Sequence, residues 1–255
     1  MTASEIIGIA ASGVAAGLIN AVAGGGTLIT FPVLLLYGTS PIIANATSTL
    51  ALLLGTSGSV YGYRAQFPAV RGWLLRFLPV SLAGGLLGSV LLLYFPESTF
   101  NRLVPFLMLF ATLLFLTQGL LRRWILPHLG QREHTNPLYG ALIFQFGISV
   151  YGGYFGAGIG ILMLATMGML GLSDIHQMNA LKTFLGSLIN LVAAAYFVQA
   201  GLVDWSKAGV LCLGAIAGYF LGSHYSQRLP QARVRQLIIL IGLSISIVLF
   251  YKQFR

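Results

Sequence analysis

The hydrophobic positions of this 255-residue chain fall into long runs that contain no charged residue. A helix needs about 20 apolar residues to cross a bilayer, and the first run, from Ile6 to Tyr63, has room for nearly three such segments. The runs lack the alternation typical of outer-membrane strands. They predict ten apolar, helical segments, which are 5–23, 27–38, 42–63, 73–95, 102–121, 138–154, 158–172, 178–198, 208–226 and 234–251.

Two of these segments, 27–38 and 158–172, are too short to span a bilayer comfortably as straight helices. The first is preceded by the glycines of "AVAGGGTLITFP" (21–32) and the second begins within "YFGAGIGILML" (154–164). Each glycine weakens a helix by roughly 1 kcal/mol relative to alanine. We therefore predict a chain break followed by a half-helix in each place. A simpler interpretation is that these glycines only let helices pack closely.

Composition places the chain in a membrane. Hydrophobic residues make up 57% of it and charged residues only 7%, against about 25% charged residues in soluble domains. The net charge of +9 could indicate nucleic acid as a partner, but basic loops on the cytoplasmic side of a membrane account for it, and we expect no nucleic acid. The opening "MTASE" has no basic residue, so no cleavable signal peptide is expected.

The chain contains an internal repeat. Shifting the sequence by 134 positions aligns it with itself, without gaps, over about 80 residues. The identical pairs include Gly24/Gly158, Gly26/Gly160, Asn45/Asn179, Ala46/Ala180, Thr49/Thr183, Gly84/Gly218 and Gly88/Gly222. The repeat divides the chain into a first transmembrane unit (1–121), a linker (122–137) and a second unit (138–255).

Loop charges predict the orientation of the two units. Basic residues cluster in three connections, at Arg64, Arg71 and Arg76, at Arg122, Arg123 and Arg132, and at Arg228, Arg233 and Arg235. The positive-inside rule places all three clusters in the cytoplasm. Each half then crosses the membrane an odd number of times, so the second unit is inverted relative to the first. Inverted repeats with broken helices near the midplane are a transporter architecture.

A second topology counts 5–38 as one interrupted crossing. It gives eight crossings in two parallel repeats and places the last arginine cluster outside. We rank it second because it violates the charge rule, although the inverted topology puts Lys252 and Arg255 outside.

A polar motif follows each short segment. The motif is "PIIANATSTL" (41–50) in the first half and "SDIHQMNALKTF" (173–184) in the second. Pro41, and Ser173 with Asp174, are signals for a helix start. The break before each half-helix leaves N–H groups without intrahelical partners at the positive end of a helix dipole, and this arrangement suits an anion.

Lys182 is the most informative single residue, because no charge follows it until Asp204. An ammonium group inside a membrane costs at least about 2.5 kcal/mol and indicates a function by default. Two structural interpretations remain open: the side chain reaches the interface from near a helix end, or it pairs with Asp174.

Uncharged donors with one cation suit a small oxyanion better than a metal ion, which would require carboxylates. The candidate binding residues are Gly24, Gly25, Gly26, Asn45, Thr47, Ser48, Thr49, Gly156, Gly158, Asn179, Lys182 and Thr183. The sequence shows no catalytic triad, carboxylate pair or metal-ligand spacing, and Cys212 is its single cysteine. We therefore expect no enzyme activity, cofactor or metal.

The two motif regions also carry a family resemblance. "NAVAGGGTLITFPVLLLYGTSPIIANATSTLAL" (20–52) and "GISVYGGYFGAGIGILMLATMGMLGLSDIHQMNALKTFLGSLIN" (147–190) resemble the two motifs of the sulfite exporter TauE/SafE family of membrane permeases. "GLVDW" (201–205) and "GAIAGYFLGSHYSQRLP" (214–230) are similar as well. The resemblance implies a multi-pass protein of the bacterial inner membrane that moves sulfite, organosulfonates or related sulfur-containing anions.

Three functions fit these observations. The leading hypothesis is a secondary transporter that binds its anion between the two halves, with a coupling ion as a further ligand. An anion channel would use the same residues. A membrane scaffold, in which the glycines serve packing alone, would have no need of Lys182.

The topology is testable by cysteine accessibility. We expect single cysteines at positions 228–235, in a Cys212→Ser background, to react with a membrane-impermeant maleimide only from the cytoplasmic side, since the arginine cluster stays inside. Cysteines at 96–101, a weakly charged connection, are the control and should react from outside. Labelling of 228–235 only from the periplasmic side would establish the parallel topology instead.

Overall fold

The computed structural model describes residues 1–22, 25–125, 137–170, 172, 174–225 and 231–254, and within these ranges the chain is helical throughout. The helices are α1 (Ala3–Val22), α2 (Thr27–Leu36), α3 (Pro41–Gly62), α4 (Phe67–Tyr94), α5 (Glu97–Ile125), α6 (Pro137–Tyr154), α7 (Ile159–Met169), α8 (Ile175–Gln199), α9 (Trp205–Tyr225) and α10 (Gln231–Phe254). A 3₁₀ turn at Arg64–Gln66 joins α3 to α4. Each predicted segment corresponds to one helix.

The fold is that of an all-α integral membrane protein, as the composition predicts. Five stretches of the described helices are long and apolar enough to cross a membrane, namely Ala3–Ala21, Arg64–Tyr94, Glu97–Thr117, His176–Gln199 and Trp205–Gly222. Shorter apolar helices, including α2 and α7, accompany them. Residues 27–36 and 159–169 each give a helix of roughly 15 Å, about half the thickness of the hydrocarbon core.

Glycine conformations produce both predicted chain breaks. Gly25 has a φ of 113° and Gly158 a φ of 80°, in the left-handed region that side chains with a Cβ rarely adopt. Side chains satisfy backbone groups beside these breaks. The Gly26 N–H donates to Asn20 Oδ1 at 2.7 Å. The Tyr151 hydroxyl donates to the Ala157 carbonyl at 2.7 Å. The breaks are therefore specific, hydrogen-bonded turns.

The helix starts follow the predicted signals. Pro41 is the first residue of α3, and the Asp174 carboxylate caps α8 by accepting the His176 N–H at 2.8 Å. Several helices begin earlier than the apolar segments do, because proline or a polar residue occupies their first turn. At the other end of the first half, α5 continues through residues 122–125, which the repeat assigns to the linker. Neither glycine nor proline occurs from residue 120 to residue 126, so this turn remains helical.

Glycine seams join the two halves. A Cβ on Gly13 would meet the Leu211 backbone, and one on Gly17 would meet the Ala215 backbone, so α1 runs parallel to α9 in close contact. The helices α4 and α6 form an equivalent parallel pair, in which Gly153 lies against the backbone of Gly85. The 134-residue offset relates α1 to α6 and α9 to α4. The two seams are therefore equivalent contacts of the repeat.

The central helices α3 and α8 run in opposite directions. The Asp204 N–H, just after α8, donates to Thr47 Oγ1 near the start of α3 at 3.1 Å. At the other end, Phe67 follows α3 and lies with its ring centroid 5.3 Å from that of Phe184, in the first half of α8. This arrangement is the one expected of an inverted repeat. The inversion across a bilayer, and the division into two units and a linker, stay predictions.

The α1–α9 seam gives a test of this packing. Gly218→Ala should lower thermal stability, by roughly 1–3 kcal/mol, because the new Cβ would lie 2.9 Å from Val14 Cα. Gly209→Ala, in the same helix but with nothing within 4 Å of its Cβ, is the matched control and should be neutral or stabilising. Melting in detergent, followed by size-exclusion chromatography, measures both. Equal melting temperatures for the two variants would contradict the seam.

Candidate functional site

A cavity of about 150 Å³ lies between the two halves. The first turns of α2 and α7 reach it, and α1, α3, α8 and α9 contribute the other walls. Its described lining residues are Asn20, Ala21, Gly25, Thr27, Thr49, Leu52, Thr56, Ser59, Tyr63, Phe155, Gly156, Gly158, Ile159, Gly160, Met163, Asn179, Lys182, Thr183, Gly186, Ser187, Asn190 and Tyr219.

The lining is rich in uncharged hydrogen-bonding groups. Side-chain hydroxyls and amides come from both halves, and Lys182 is the one charged side chain among the described lining residues. No carboxylate belongs to that set. A wall of neutral donors with a single cation favours an anion, since a metal cation would require carboxylate ligands.

Lys182 is held inside the protein. Its Nζ donates to Asn179 Oδ1, one turn earlier in α8, at 2.9 Å. Its aliphatic stem lies along the first turn of α7, where a Cβ on Gly160 would be 3.2 Å from Lys182 Cδ. The Asp174 carboxylate caps α8, and the ion pair present among the described residues is Lys207 with Asp204. The ammonium of Lys182 therefore has an amide partner in place of the carboxylate considered above.

Both half-helices begin at the cavity. The residue before α2 is Gly26 and the residue before α7 is Gly158, and neither helix has a side-chain cap. Glycine cannot cap a helix through a side chain, so the N-terminal dipoles face the cavity without a capping carboxylate or hydroxyl. Two positive helix ends and one ammonium group thus converge on the same space.

Seven of the twelve predicted site residues line this cavity: Gly25, Thr49, Gly156, Gly158, Asn179, Lys182 and Thr183. Thr49 and Thr183 are related by the 134-residue offset and approach from α3 and α8. Gly24 lies outside the described residues.

The other four predicted residues lie away from the described cavity lining. The Asn45 amide donates to the Tyr154 carbonyl at 3.0 Å, and Thr47 accepts from the Asp204 N–H. Ser48 shares a hydrogen bond with the hydroxyl of Thr30, and the Gly26 N–H is bound to Asn20. Each holds two elements together, and their contact with a substrate stays a prediction.

Sequence reasoning missed several polar lining residues: Asn20, Thr27, Thr56, Ser59, Tyr63, Ser187, Asn190 and Tyr219. Helical periodicity could have found some of them. Positions 49, 52, 56, 59 and 63 of α3 and its end follow the spacing of a single helix face. Extending that face from Thr49 reaches Thr56 and Ser59. No comparable signal marks Asn20 or Tyr219, because each is an isolated polar group in an apolar helix.

These features define a multi-pass membrane protein with a central polar cavity that contains one lysine, and comparison with known proteins gives the family. The model of the family described as "Sulfite exporter TauE/SafE" matches residues 9–249. The chain belongs to this family, as its motifs predicted. It is a membrane transporter and not an enzyme.

The curated relatives are named as transporters. A "Probable membrane transporter protein" of Haemophilus influenzae is 30% identical over 247 residues, covering 94% of this chain and 92% of the relative. The "Probable membrane transporter protein YfcA" of Escherichia coli K12 is 27% identical, covering 92% of this chain and 86% of the relative. The "Probable membrane transporter protein ORF9" of a Sinorhizobium species is 26% identical, covering 91% and 87%. No solved structure matches the chain significantly.

Two threonines of one motif separate a cavity role from a structural one. Thr47→Val should destabilise the protein by roughly 1–3 kcal/mol, because it leaves the Asp204 N–H without its acceptor. Thr49→Val removes a hydroxyl from the cavity wall, where it donates only to its own helix. It should leave the melting temperature nearly unchanged and reduce the stabilisation of the protein by added sulfite. Thermal melts with and without sulfite measure both effects, and the reverse pattern would contradict the assignment.

Proposed function

We propose that this protein is a secondary transporter for small sulfur-containing anions, such as sulfite or organosulfonates, in the bacterial inner membrane. One observation carries the proposal. Lys182 lies in a cavity between the two halves, and the other polar side chains among the described lining residues are uncharged. The family name supports the same class of anion.

Electrostatics explains why an anion suits this cavity. An ammonium group inside a membrane protein is costly unless it is paired. Asn179 supplies Lys182 with a dipole but no compensating charge. A bound oxyanion supplies that charge, and its several oxygens accept hydrogen bonds from threonine, serine and asparagine side chains around it. One positive side chain suits an anion of low charge.

The arrangement of the halves supports alternating access. The cavity is lined by the antiparallel helices α3 and α8 and by the first turns of the half-helices α2 and α7. In transporters built this way, one repeat rocks against the other around a fixed site. The sequence contains no ATPase motif, so a gradient of the substrate or of a coupling ion drives transport. A carrier of this kind predicts saturable flux, whereas an open channel does not.

The decisive variant is Lys182→Met, which keeps a long apolar side chain and removes the charge. We expect sulfite flux into proteoliposomes to fall at least tenfold, because an ionic hydrogen bond is worth about 1.5–3 kcal/mol. Lys252→Met is the matched control, since Lys252 is exposed in the last turn of α10. Its flux should equal that of the wild type.

The panel of substrates contains sulfite, thiosulfate, sulfoacetate and taurine. Saturable flux of one or more of these sulfur compounds, lost in Lys182→Met, is the expected result. Full flux in Lys182→Met would remove Lys182 from the site. No flux of any of these compounds in the wild type would contradict a role in sulfur-anion transport.

A further inference from the structure

A second buried polar group lines the cavity from α9. The Tyr219 side chain is only 6% exposed, and its hydroxyl oxygen is shielded from solvent without a hydrogen-bond partner. Its polar neighbour is the Asn20 side chain, whose Oδ1 accepts the Gly26 N–H at 2.7 Å. Buried tyrosine hydroxyls usually have partners. This one adjoins the space in which an anion would bind.

Close packing holds the Tyr219 ring in place. The ring lies over Gly55 of α3, where a Cβ would be 2.8 Å from Tyr219 Cδ2 and Cε2. Gly55 therefore provides the space that the ring occupies. The orientation of Tyr219 depends on this contact between the two halves.

The equivalent contact, between α4 and α8, has the large and the small residue exchanged. The 134-residue offset relates Tyr219 to Gly85 and Gly55 to Ile189. A Cβ on Gly85 would lie 3.3 Å from Ile189 Cα, so here the glycine is on α4 and the large side chain is on α8. The two contacts exchange large and small residues, but only the one with Tyr219 carries a hydroxyl group.

Lys182 is a second difference between the halves, and it too adds a polar group on the side of the second half. Its counterpart in the first half is Ser48, which is hydrogen-bonded to Thr30. The Lys182 ammonium group and the Tyr219 hydroxyl thus both come from the second half, on α8 and α9. A ligand held by both groups would lie nearer to the second half than to the first.

We propose that Tyr219 is a substrate-binding residue, whose hydroxyl donates a hydrogen bond to an oxygen of the bound sulfur oxyanion while Lys182 supplies the charge. The proposal rests on the proposed function and adds a residue to that same site. Tyr219 then binds the substrate through a donor that the protein itself does not use.

The test is Tyr219→Phe, compared with the wild type and with Tyr139→Phe, an exposed tyrosine at the start of α6. Without sulfite, Tyr219→Phe should melt at the wild-type temperature or above, because the lost hydroxyl has no partner in the protein. Its KM for sulfite flux should rise about tenfold, with a maximal rate within about twofold of the wild type. Tyr139→Phe should match the wild type in all three values.

Gly55→Ala provides a second variant, because its new Cβ would displace the Tyr219 ring. Gly58→Ala, in the same helix with nothing within 4 Å of its Cβ, is its control. We expect a raised KM in Gly55→Ala alone. Should Tyr219→Phe fail to fold, this pair decides, and equal KM values would overturn the proposal.

The remaining outcomes separate the two proposals. An unchanged KM in Tyr219→Phe, with or without a lower melting temperature in the absence of sulfite, would make Tyr219 a structural residue. The proposed transport function would still stand. Absence of flux and of sulfite-induced stabilisation in the wild type would overturn both proposals.

Discussion

The structure depends on one constraint: a backbone polar group inside a membrane must have a partner within the protein or face a polar cavity. The breaks before α2 and α7 meet it in both ways. Asn20 accepts the Gly26 N–H, and Tyr151 donates to the Ala157 carbonyl. The first turns of the two half-helices then open onto the central cavity. A helix break that would be costly against lipid thus places the positive end of a helix dipole at the site.

The same constraint explains the glycine seams. Lipid tails are as apolar as leucine side chains, so helices in a membrane associate through close packing more than through the hydrophobic effect. The contacts of Gly17 with Ala215, and of Gly153 with Gly85, bring backbones together along both seams. These seams position the halves, and the cavity is the space that remains between them. The interpretation of glycine as a packing residue therefore applies to the seams, while Gly25 and Gly158 form the breaks.

The "ANATST" motif shows that residue type alone does not predict which side chains line the cavity. Asn45, Thr47, Ser48 and Thr49 are all polar in an apolar segment, and the sequence offers no reason to separate them. In the structure only Thr49 lines the cavity. Helix geometry turns each successive residue by about 100°, so the neighbours face α6, α9 and α2 and bond there. Which face meets the cavity depends on how α3 is rotated against its neighbours.

The sequence by itself determined the membrane class, the ten helical segments, both glycine breaks and the family, because these follow from charge-free runs, local backbone preference and motifs. It also singled out Lys182, because a charge in an apolar segment is conspicuous. Only the tertiary structure decided which polar groups share one cavity. Tyr219 is the clearest case: it packs over Gly55 and lines the cavity together with Asn20, residues that are 164 and 199 positions away in the chain. Contacts between residues so distant in sequence form only when the two halves pack together.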